Sequence, residues 1–582
     1  MRNEEVARVF ERVADLLEIK GESVYRVLAY RRAAETLRGY GRDLEEVWKA
    51  GGLREIPGVG EAIAAKIDEL LRSGRLEYFE KLKGEVPETL SDLLQVGDVG
   101  PKKAARFWKE MGITTIDQLE EAARAGRLRT LSGMGERSEA RILESLEALR
   151  RRSSDRLPLG RAVHEAGRLL ERLRSVAGVE RAEAAGSLRR QRETVGDLDL
   201  IVAARDRERV RLEVVEWPDV ARVLGQGETK TSLELRDGLR VQLWVHPPER
   251  FGSAWLYATG SKGHNVRLRE MALDRDLSLS EHGFKRGEGK EILCREEEEV
   301  YRALELPWIP PEIREDLGEV EAARAGRLPR LVEEGDLRGD LHAHSEWSDG
   351  AVDVRTLAEA ARDQGLGSLA ITDHSQSLGM VQGLTPDRVR EQRAEIDAIQ
   401  RSLGSSFRIL QGAEVEILAD GSLDFPDSVL AQLDLVIASL HTSLRQPRAQ
   451  VTERVLRAIA NPHVDILGHP TGRLIGKRDP ADLDMEAVFR SAAEHQVVME
   501  INANPERLDL NDGHARAALG FGCLLAIGSD AHHPDHLAFR GFGVGIARRA
   551  WATQQNVLTT WAAPDVEAWL ARRGRPGPRD RG

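Results

Sequence analysis

From about residue 336 the chain repeats one pattern seven times, a short apolar segment followed by a helix-like stretch. The segments end at Leu341-His342, Ile371-Thr372-Asp373-His374, Ala413-Glu414, Ser439-Leu440-His441, Leu467-Gly468-His469, Glu500-Ile501-Asn502 and Gly528-Ser529-Asp530. Repeated strand-then-helix units demand parallel strands joined by right-handed crossovers. In a barrel of such strands, the C-terminal strand ends converge on one face. Every segment here ends in a polar or metal-competent residue. The repeat therefore predicts a βα barrel of about seven units with a metal site at its mouth.

Histidine usage marks the same boundary. Of 15 histidines, only His164, His246, His264 and His282 precede residue 340. The candidate ligands are His342, His344, Asp349, His374, Glu414, His441, His469, Asp530 and His532. In His-x-His at a strand end both imidazoles share a face and can bind one ion, and Asp530-Ala531-His532 repeats that device with mixed donors. This donor set exceeds the need of one ion, so a bridging glutamate predicts two to three divalent ions. Mixed nitrogen and oxygen donors suit Zn²⁺, Mn²⁺ or Fe²⁺. His463, His495, His514, His533 and His536 fall outside the set and read as surface or supporting residues.

Residues 1 to about 150 carry apolar positions at helical spacing, as in Val6, Val9, Phe10, Val13, Leu16 and Leu17. Three helix–turn–helix segments here turn on glycine: Ile56-Pro57-Gly58-Val59-Gly60, Val96-Gly97-Asp98-Val99-Gly100 and Leu131-Ser132-Gly133-Met134-Gly135. Such turns expose backbone amides beside a helix N-terminus, where they suit a phosphate oxygen. The grip is independent of base sequence. Gly58, Gly60, Gly97, Gly100, Gly133 and Gly135 are thus candidate DNA-binding positions, and the segments resemble helix-hairpin-helix motifs. Asp98 departs from that motif, standing where a second glycine or small residue is often seen. A net charge of −12 argues against a generally basic nucleic-acid surface. Amide dipoles answer much of that objection, because they hold phosphate without a high isoelectric point.

Residues about 155–310 read as mixed, with strands at Leu198–Val202 and Val241–Val245 and a hairpin signal at Asp237-Gly238. Gly186-Ser187-Leu188-Arg189-Arg190 precedes Asp197-Leu198-Asp199. On a strand the two aspartates face one way. Two carboxylates held together repel each other unless a divalent cation sits between them, and Mg²⁺ or Mn²⁺ suits their hard oxygens. Two such ions would activate a 3′-hydroxyl and stabilise leaving pyrophosphate. Gly186 and Ser187 would cradle the triphosphate, with Arg189 or Arg190 neutralising it. The arrangement predicts a nucleotidyltransferase.

Residues 1–310 resemble a family X DNA polymerase, the class of DNA polymerase beta. Tyr257-Ala258-Thr259-Gly260-Ser261, with Asn265 and Arg269, is similar to that family's nucleotide-binding segment. The resemblance implies that Tyr257 and Asn265 flank the incoming sugar and base, and that Arg269 approaches the template minor groove. Lys66 matches the family's Schiff-base lysine for 5′-deoxyribose phosphate removal. A solvated helix lysine is the alternative, since Ala62 occupies the place of one helper lysine. The family's third metal-binding aspartate corresponds to Gln242, whose neutral amide cannot take the 3′-hydroxyl proton. A two-residue turn at Asp237-Gly238 would set Leu233 opposite Gln242 and turn Glu234 away, so no carboxylate substitutes. Weak polymerisation preferring Mn²⁺ is expected. Ala258 replaces a common aromatic residue, and looser discrimination against ribonucleotides is expected from it.

Residues about 336–570 resemble the polymerase and histidinol phosphatase (PHP) domain. The resemblance implies one ion on His342, His344, Glu414 and Asp530, a second on Asp349, His374 and His532, and a third on Glu414, His441 and His469. Asp373 would support rather than ligate. Arg473 and Arg478 are phosphate-contact candidates, or else solvated loop residues.

The expected fold is multidomain α and α/β: a helix-hairpin-helix N-terminal region, a nucleotidyltransferase palm with thumb, and a (β/α)7-type PHP barrel. Expected divisions are a lyase-like helical domain (1–82), a fingers-like domain (83–152), palm (153–245), thumb (246–312), linker (313–335), barrel (336–572) and a disordered tail (573–582). Two cysteines exclude a disulfide framework, no apolar run is membrane-length, and the charged N-terminus lacks a signal-peptide core. A cytoplasmic, nucleoid-associated monomer in a bacterium is expected, with gapped or nicked double-stranded DNA and dNTPs as partners and no membrane.

The combined resemblance implies a repair enzyme that fills short gaps, with a 3′–5′ exonuclease in the barrel that extends to abasic-site endonuclease and 3′-phosphatase activity. The alternative is mainly an end-processing nuclease with a weakened, Mn²⁺-dependent polymerase half, encouraged by Gln242. A small-molecule phosphatase and a non-catalytic DNA scaffold are the remaining rivals. The glycine hairpins speak against the first and the full ligand set against the second.

Overall fold

A computed structural model of the chain describes residues 3–38, 44–56, 59–94, 96, 98–131, 133–151, 156–286, 290–378 and 381–572. Gly58, Gly97 and the expected tail 573–582 lie outside the described residues. The chain forms two compact units. One comprises Met1–Arg156, Trp217–Gly238 and Asp316–Gly318, and the other Leu157–Glu216, Leu239–Glu315 and Glu319–Gly582. Among the described residues no helix is long and apolar enough to cross a membrane.

The first unit is helical apart from one hairpin. Val6, Phe10, Val13 and Leu17 on helix Asn3–Lys20 are fully buried, as their spacing predicts. The three glycine hairpins share one backbone device. The amides of Val59, Val99 and Met134 donate to the carbonyls of Ile56, Val96 and Leu131 at 3.0, 3.1 and 3.0 Å. All six side chains are buried, so each turn is pinned to the core by its apolar residues. Gly60 and Gly100 then cap helices Glu61–Ser73 and Pro101–Met111 in extended conformation. A Cβ at Gly60, Gly100, Gly133 or Gly135 would meet nothing within 4 Å, so these helix starts are open. The departure at Asp98 has a physical account. Gly133 has φ +76° and Asp98 φ +67°, so the aspartate takes the left-handed place of glycine, which Asp tolerates. Lys103 at 3.0 Å and Arg141 at 3.7 Å neutralise its carboxylate.

The hairpin pairs Val220–Gln226 with Lys230–Leu235. Its end differs from the expected two-residue turn. Gly238 donates to the Leu235 carbonyl at 2.9 Å with φ +86°, placing Arg236 and Asp237 at the centre of the turn. Glu234 is paired with Arg222 at 3.0 Å.

In the second unit, strand Leu198–Ala204 lies between antiparallel Val179–Ala184 and parallel Arg240–His246. Helices Phe251–Thr259 and Lys262–Leu273 follow. The segment expected to be a linker is partly built into this core. Val320 and Ala323 of helix Glu319–Arg324 are buried with Leu256, Leu268 and Tyr301, and Arg314 is fully buried.

Seven parallel strands then run in sequence order: Gly339–Asp340, Ser368–Ile371, Arg408–Glu416, Leu435–Ser439, Ile466–Gly468, Val498–Asn502 and Leu525–Gly528. The first and last approach each other, since Ala343 and Ala531 form a parallel bridge and the His344 amide donates to the Ala531 carbonyl at 2.8 Å. The result is the nearly closed (β/α)7 barrel that the repeat predicts.

Candidate active sites

Asp197 and Asp199 flank buried Leu198 and stay partly exposed themselves. Gly186 has φ +58°, and a Cβ there would stand 2.1 Å from Asp199 Oδ2 and 2.8 Å from its Cγ. The start of the Gly-Ser segment is thus pressed against the Asp199 carboxylate, a place only glycine can fill. The Ala185 amide reinforces this by donating to the Asp199 carbonyl at 2.8 Å. Gln242 is the direct partner of Asp199 on the parallel strand. An amide therefore stands in register beside the acid, at the position where the resemblance leads one to expect a third carboxylate.

Trp244, two residues on, escaped the sequence reading. Its Nε1 donates to Asp199 Oδ1 at 3.2 Å, and its ring meets Tyr257 edge-on at 6.0 Å. It ties the acid strand to the Tyr257–Ser261 segment. There Asn265 donates to the Tyr257 carbonyl at 2.9 Å, while its Oδ1 is buried without a hydrogen-bond partner. Ser261 caps helix Lys262–Leu273, Thr259 is fully buried, Gly260 has φ +72°, and Arg269 is exposed.

Arg189 and Arg190 differ from the expectation that they meet phosphate. Arg189 binds Glu297 through both terminal nitrogens at 2.6 and 2.7 Å, donates to Thr259 Oγ1 at 2.7 Å and stacks on Trp255 at 3.4 Å. Arg190 donates to Glu315 at 3.1 Å and to the Thr259 carbonyl. Both guanidiniums are neutralised by carboxylates and hold the Thr259–Gly260 turn. Lys66 lies on helix Glu61–Ser73, with Nζ donating to the Ala62 carbonyl at 3.3 Å and 5.4 Å from the Tyr78 ring centre.

The barrel mouth gathers all nine expected donors. Glu414 is central. Its Oε2 is 3.0 Å from His374 Nδ1, 3.4 Å from His342 Nε2 and 3.5 Å from His344 Nε2. Its Oε1 is 2.7 Å from His469 Nε2 and 3.3 Å from His441 Nε2. Asp530 lies 3.2 Å from His344 Nε2, and Asp349 lies 3.3 Å from His532 Nε2 and 3.6 Å from His374 Nε2. Two donors each about 2.1 Å from one ion stand roughly 3 to 3.5 Å apart, which is the spacing seen here. Three donor groups lie close enough to share an ion: His344, Asp349, His374 and His532; His342, His344 and Asp530; and His374, Glu414 and His441. These groups overlap the expected sets and differ in detail, with His344 beside the second and His374 beside the third.

The fit to metal rests on stranded polar atoms. His342 Nε2, His344 Nε2, His441 Nε2, His469 Nε2 and both Glu414 oxygens are buried without a hydrogen-bond partner. Such atoms cost free energy unless something binds them. Further carboxylates orient the imidazoles from behind. Glu500 Oε1 is 2.6 Å from His342 Nδ1, and Glu500 Oε2 accepts from the His469 amide at 2.6 Å. Glu416 Oε2 is 2.8 Å from His441 Nδ1, and Arg454 approaches the Glu416 carboxylate at 3.3 Å. Burial opposes charge on His342, yet Glu500, Glu414 and Asp530 hold its pKa well above the usual histidine range. A Cβ at Gly528 would meet Glu500 Oε1 at 2.4 Å, so glycine makes room for this support. The sequence reading gave Glu416 and Glu500 no role. The available signal was Glu414-Val415-Glu416, two acids on one strand face. Asp373 does support, accepting from Ser345, Ser348 and Gln392 at 2.6 to 2.8 Å and anchoring the loop to Asp349. Burial pushes its carboxyl up to about 6.

Arg473 is committed elsewhere than to phosphate. It donates to Glu193 at 2.6 Å and to the Arg507 carbonyl at 3.0 Å. Arg478 Nε donates to the Gly472 carbonyl at 2.8 Å. A cation that does lie beside the donors is Arg507, whose position the sequence pattern does not reveal. Its Nε lies 3.4 Å from Asp530 Oδ2, and its Nη1 is buried without a hydrogen-bond partner.

A helix-hairpin-helix domain family matches residues 1–76, a SAM-like helix-hairpin-helix tandem 90–148, the DNA polymerase beta thumb 254–315 and the PHP domain 340–504. The chain is 39% identical over 575 residues to the DNA polymerase/3′-5′ exonuclease PolX of Bacillus subtilis (strain 168), covering 98% of this chain and 100% of that protein. A probable phosphatase of Thermoanaerobacter sp. (strain X514) is 30% identical over 236 residues, 38% of this chain and 89% of that protein. DNA polymerase lambda of Rattus norvegicus is 24% identical over 348 residues, 54% of this chain and 56% of that protein. With full-length similarity to PolX and a metal-competent barrel behind a polymerase thumb, the chain belongs to the family X DNA polymerases that carry a C-terminal PHP domain.

Proposed function

We propose that the chain fills short gaps in double-stranded DNA by template-directed dNTP addition at the palm and trims 3′ ends hydrolytically at the barrel mouth. The observation that carries this reading is the ring of stranded donor atoms around Glu414, in the same chain as the Gly186–Asp199 contact. Asp197 and Asp199 would hold Mg²⁺ or Mn²⁺, and the nine barrel donors would hold two to three ions of Zn²⁺, Mn²⁺ or Fe²⁺. Bound there, divalent ions polarise phosphoryl oxygens and lower the pKa of an attacking hydroxyl or water. Around them, Glu500 and Glu416 fix the ring orientation of His342 and His441. Arg507 Nη1, buried without a partner, would meet a phosphate oxygen, and Tyr257 and Asn265 would shape the place of the incoming nucleotide. The hairpins at Gly60, Gly100 and Gly135 would hold the DNA backbone through open helix N-termini. The same hydrolytic centre would act on 3′-phosphates and abasic sites, and Lys66 remains the candidate for 5′-deoxyribose phosphate removal.

The deciding experiment uses a gapped duplex with Mn²⁺ and compares wild type, Asp197→Ala and His344→Ala. Gap filling should vanish only in the first variant and 3′ hydrolysis only in the second. Survival of both activities in both variants overturns the assignment.

A second reading, mainly a nuclease with weak polymerisation, is favoured by Gln242 standing in register with Asp199. Gln242→Asp should therefore raise steady-state gap filling several-fold and allow Mg²⁺ to replace Mn²⁺; an unchanged rate removes this account of the amide.

Arg507→Met should reduce 3′ hydrolysis by about 10- to 100-fold, the worth of one charged hydrogen bond to phosphate. Metal content should be unchanged, and a rate within two-fold of wild type excludes that contact.

A further inference from the structure

The loop Arg190–Glu193 connects the Gly186-Ser187 turn to the strand of the two aspartates, and it is gripped at both ends by arginines of the barrel. Arg549, only 3% exposed, closes helix Arg540–Arg549. Its Nη1 donates to the Arg190 carbonyl at 2.8 Å, the Glu312 carbonyl at 3.2 Å and Glu315 Oε1 at 2.8 Å. Its Nε and Nη2 reach Asp512 Oδ2 at 2.8 and 2.6 Å. Glu315, 6% exposed, also accepts from Arg190 Nε at 3.1 Å, and Arg192 lies 3.7 Å away. Arg190 in turn donates to the Thr259 carbonyl, one residue before Gly260. At the other end Arg473 holds Glu193, whose carbonyl accepts from the Leu159 amide at 2.9 Å.

Packing between these parts is tight. A Cβ on Gly545, one turn before Arg549, would stand 2.9 to 3.1 Å from Gln191 side-chain atoms, and one on Gly160 would stand 2.5 Å from Pro505. The charges alternate: Asp512, Arg549, Glu315, Arg190. Buried charges of this kind hold their geometry because losing any partner strands the next. A hydrogen-bonded path thus runs from the hydrolytic barrel to the nucleotide turn of the polymerase half.

We infer that Arg549, a residue of the barrel, is a positioning residue for nucleotidyl transfer: through Glu315 it fixes Arg190 and so sets the Thr259–Gly260 turn against the incoming nucleotide. The inference rests on the palm acting as proposed above. It goes beyond that reading by making the barrel a structural component of the polymerase site.

The test is steady-state filling of a one-nucleotide gap by the full chain, with dNTP concentration varied, in wild type, Arg549→Met and Asp512→Asn. Hydrolysis of a 3′ end is measured on the same preparations, because Arg549 touches none of the nine donors. Arg549→Met should raise the KM for dNTP about ten-fold with kcat within about three-fold, a coupling in the range of contacting network residues. Asp512→Asn, which keeps Arg549 but loosens its hold, should raise KM by a smaller factor, and Arg549→Lys should restore part of the loss. Hydrolysis should stay within two-fold of wild type throughout. An unchanged KM in Arg549→Met overturns the inference, as does a parallel fall of KM-normalised gap filling and hydrolysis in both variants, which marks general loss of structure. Absence of incorporation by wild type removes the polymerase reading itself, and this inference with it.

Discussion

Replacing Glu414 by alanine should cut 3′ hydrolysis by at least about 10³-fold while gap filling stays within two-fold of wild type. Its two oxygens face five imidazoles at 2.7 to 3.5 Å. No other donor at the mouth touches so many. Burial works against the carboxylate, yet His441, His374, His342 and His469 hold its pKa well below the usual range, which favours its charged form at the centre of the histidine ring. Without it, two adjoining groups of imidazoles would lose their shared anion, and divalent ions held by those groups would lose a donor common to both. Metal catalysis is worth several kcal/mol, and each 1.36 kcal/mol is about a factor of ten, which sets the size of the expected loss. The companion measurement is metal content by elemental analysis, expected to fall by at least one ion per chain. Full metal content with less than a ten-fold loss of hydrolysis would refute a bridging role.

The second large effect belongs to Glu297. This carboxylate is 1% exposed and accepts from Arg189 at 2.6 and 2.7 Å, from Arg314 at 2.8 and 3.0 Å, and from Trp308 at 3.1 Å. Arg314 is itself fully buried. Glu297→Gln keeps the shape but leaves two enclosed guanidiniums without their anion. Breaking a buried pair costs about 3–5 kcal/mol, and for a unit of this size the thermal midpoint should fall by about 5 °C. Because Arg189 also carries Thr259, gap filling should weaken as well. The pH dependence follows from sign. Burial raises the Glu297 pKa, but Arg314 and Arg189 outweigh it and hold the folded-state value well below the ordinary one. Its contribution is therefore complete above the unfolded carboxyl pKa of about 4.3 and is lost as pH falls below it. The gap in stability between Glu297→Gln and wild type should shrink on acidification below that point. A constant gap from pH 7 to 3 would contradict the pairing.

Legibility in the sequence followed the range of the interactions. The nine candidate donors were readable because they cluster at or just beyond the ends of successive strands, and a period of strand and helix converts sequence position into a common mouth. The hairpins were readable for a similar local reason: one apolar–glycine pattern fixes one turn. Arginine partners were not. Arg189 looks like a phosphate cation beside Gly186-Ser187, but Glu297, which neutralises it, lies 108 residues on. Arg473 looks like a loop cation beside His469, but its carboxylate, Glu193, is 280 residues away. Glu416 and Glu500 hid for another reason: a carboxylate that orients a ligand has the same composition signal as one that does not. Gln242 was legible as a substitution, and the parallel register with Asp199 gave it a place.

The proposed hairpin clamp also predicts how DNA binding should answer to ionic strength. Proteins that neutralise phosphates with lysine and arginine displace condensed counterions, and their affinity falls with a slope of about −0.9 per neutralised phosphate on logarithmic axes. Open helix starts at Gly60, Gly100 and Gly135 would offer peptide dipoles, with only a few full charges such as Lys102 and Arg137 beside them. In a chain of net charge −12, such a clamp would release few ions. Its hold on duplex DNA should decline gently with added salt, so that the enzyme keeps its substrate in conditions where a basic groove would already have let go.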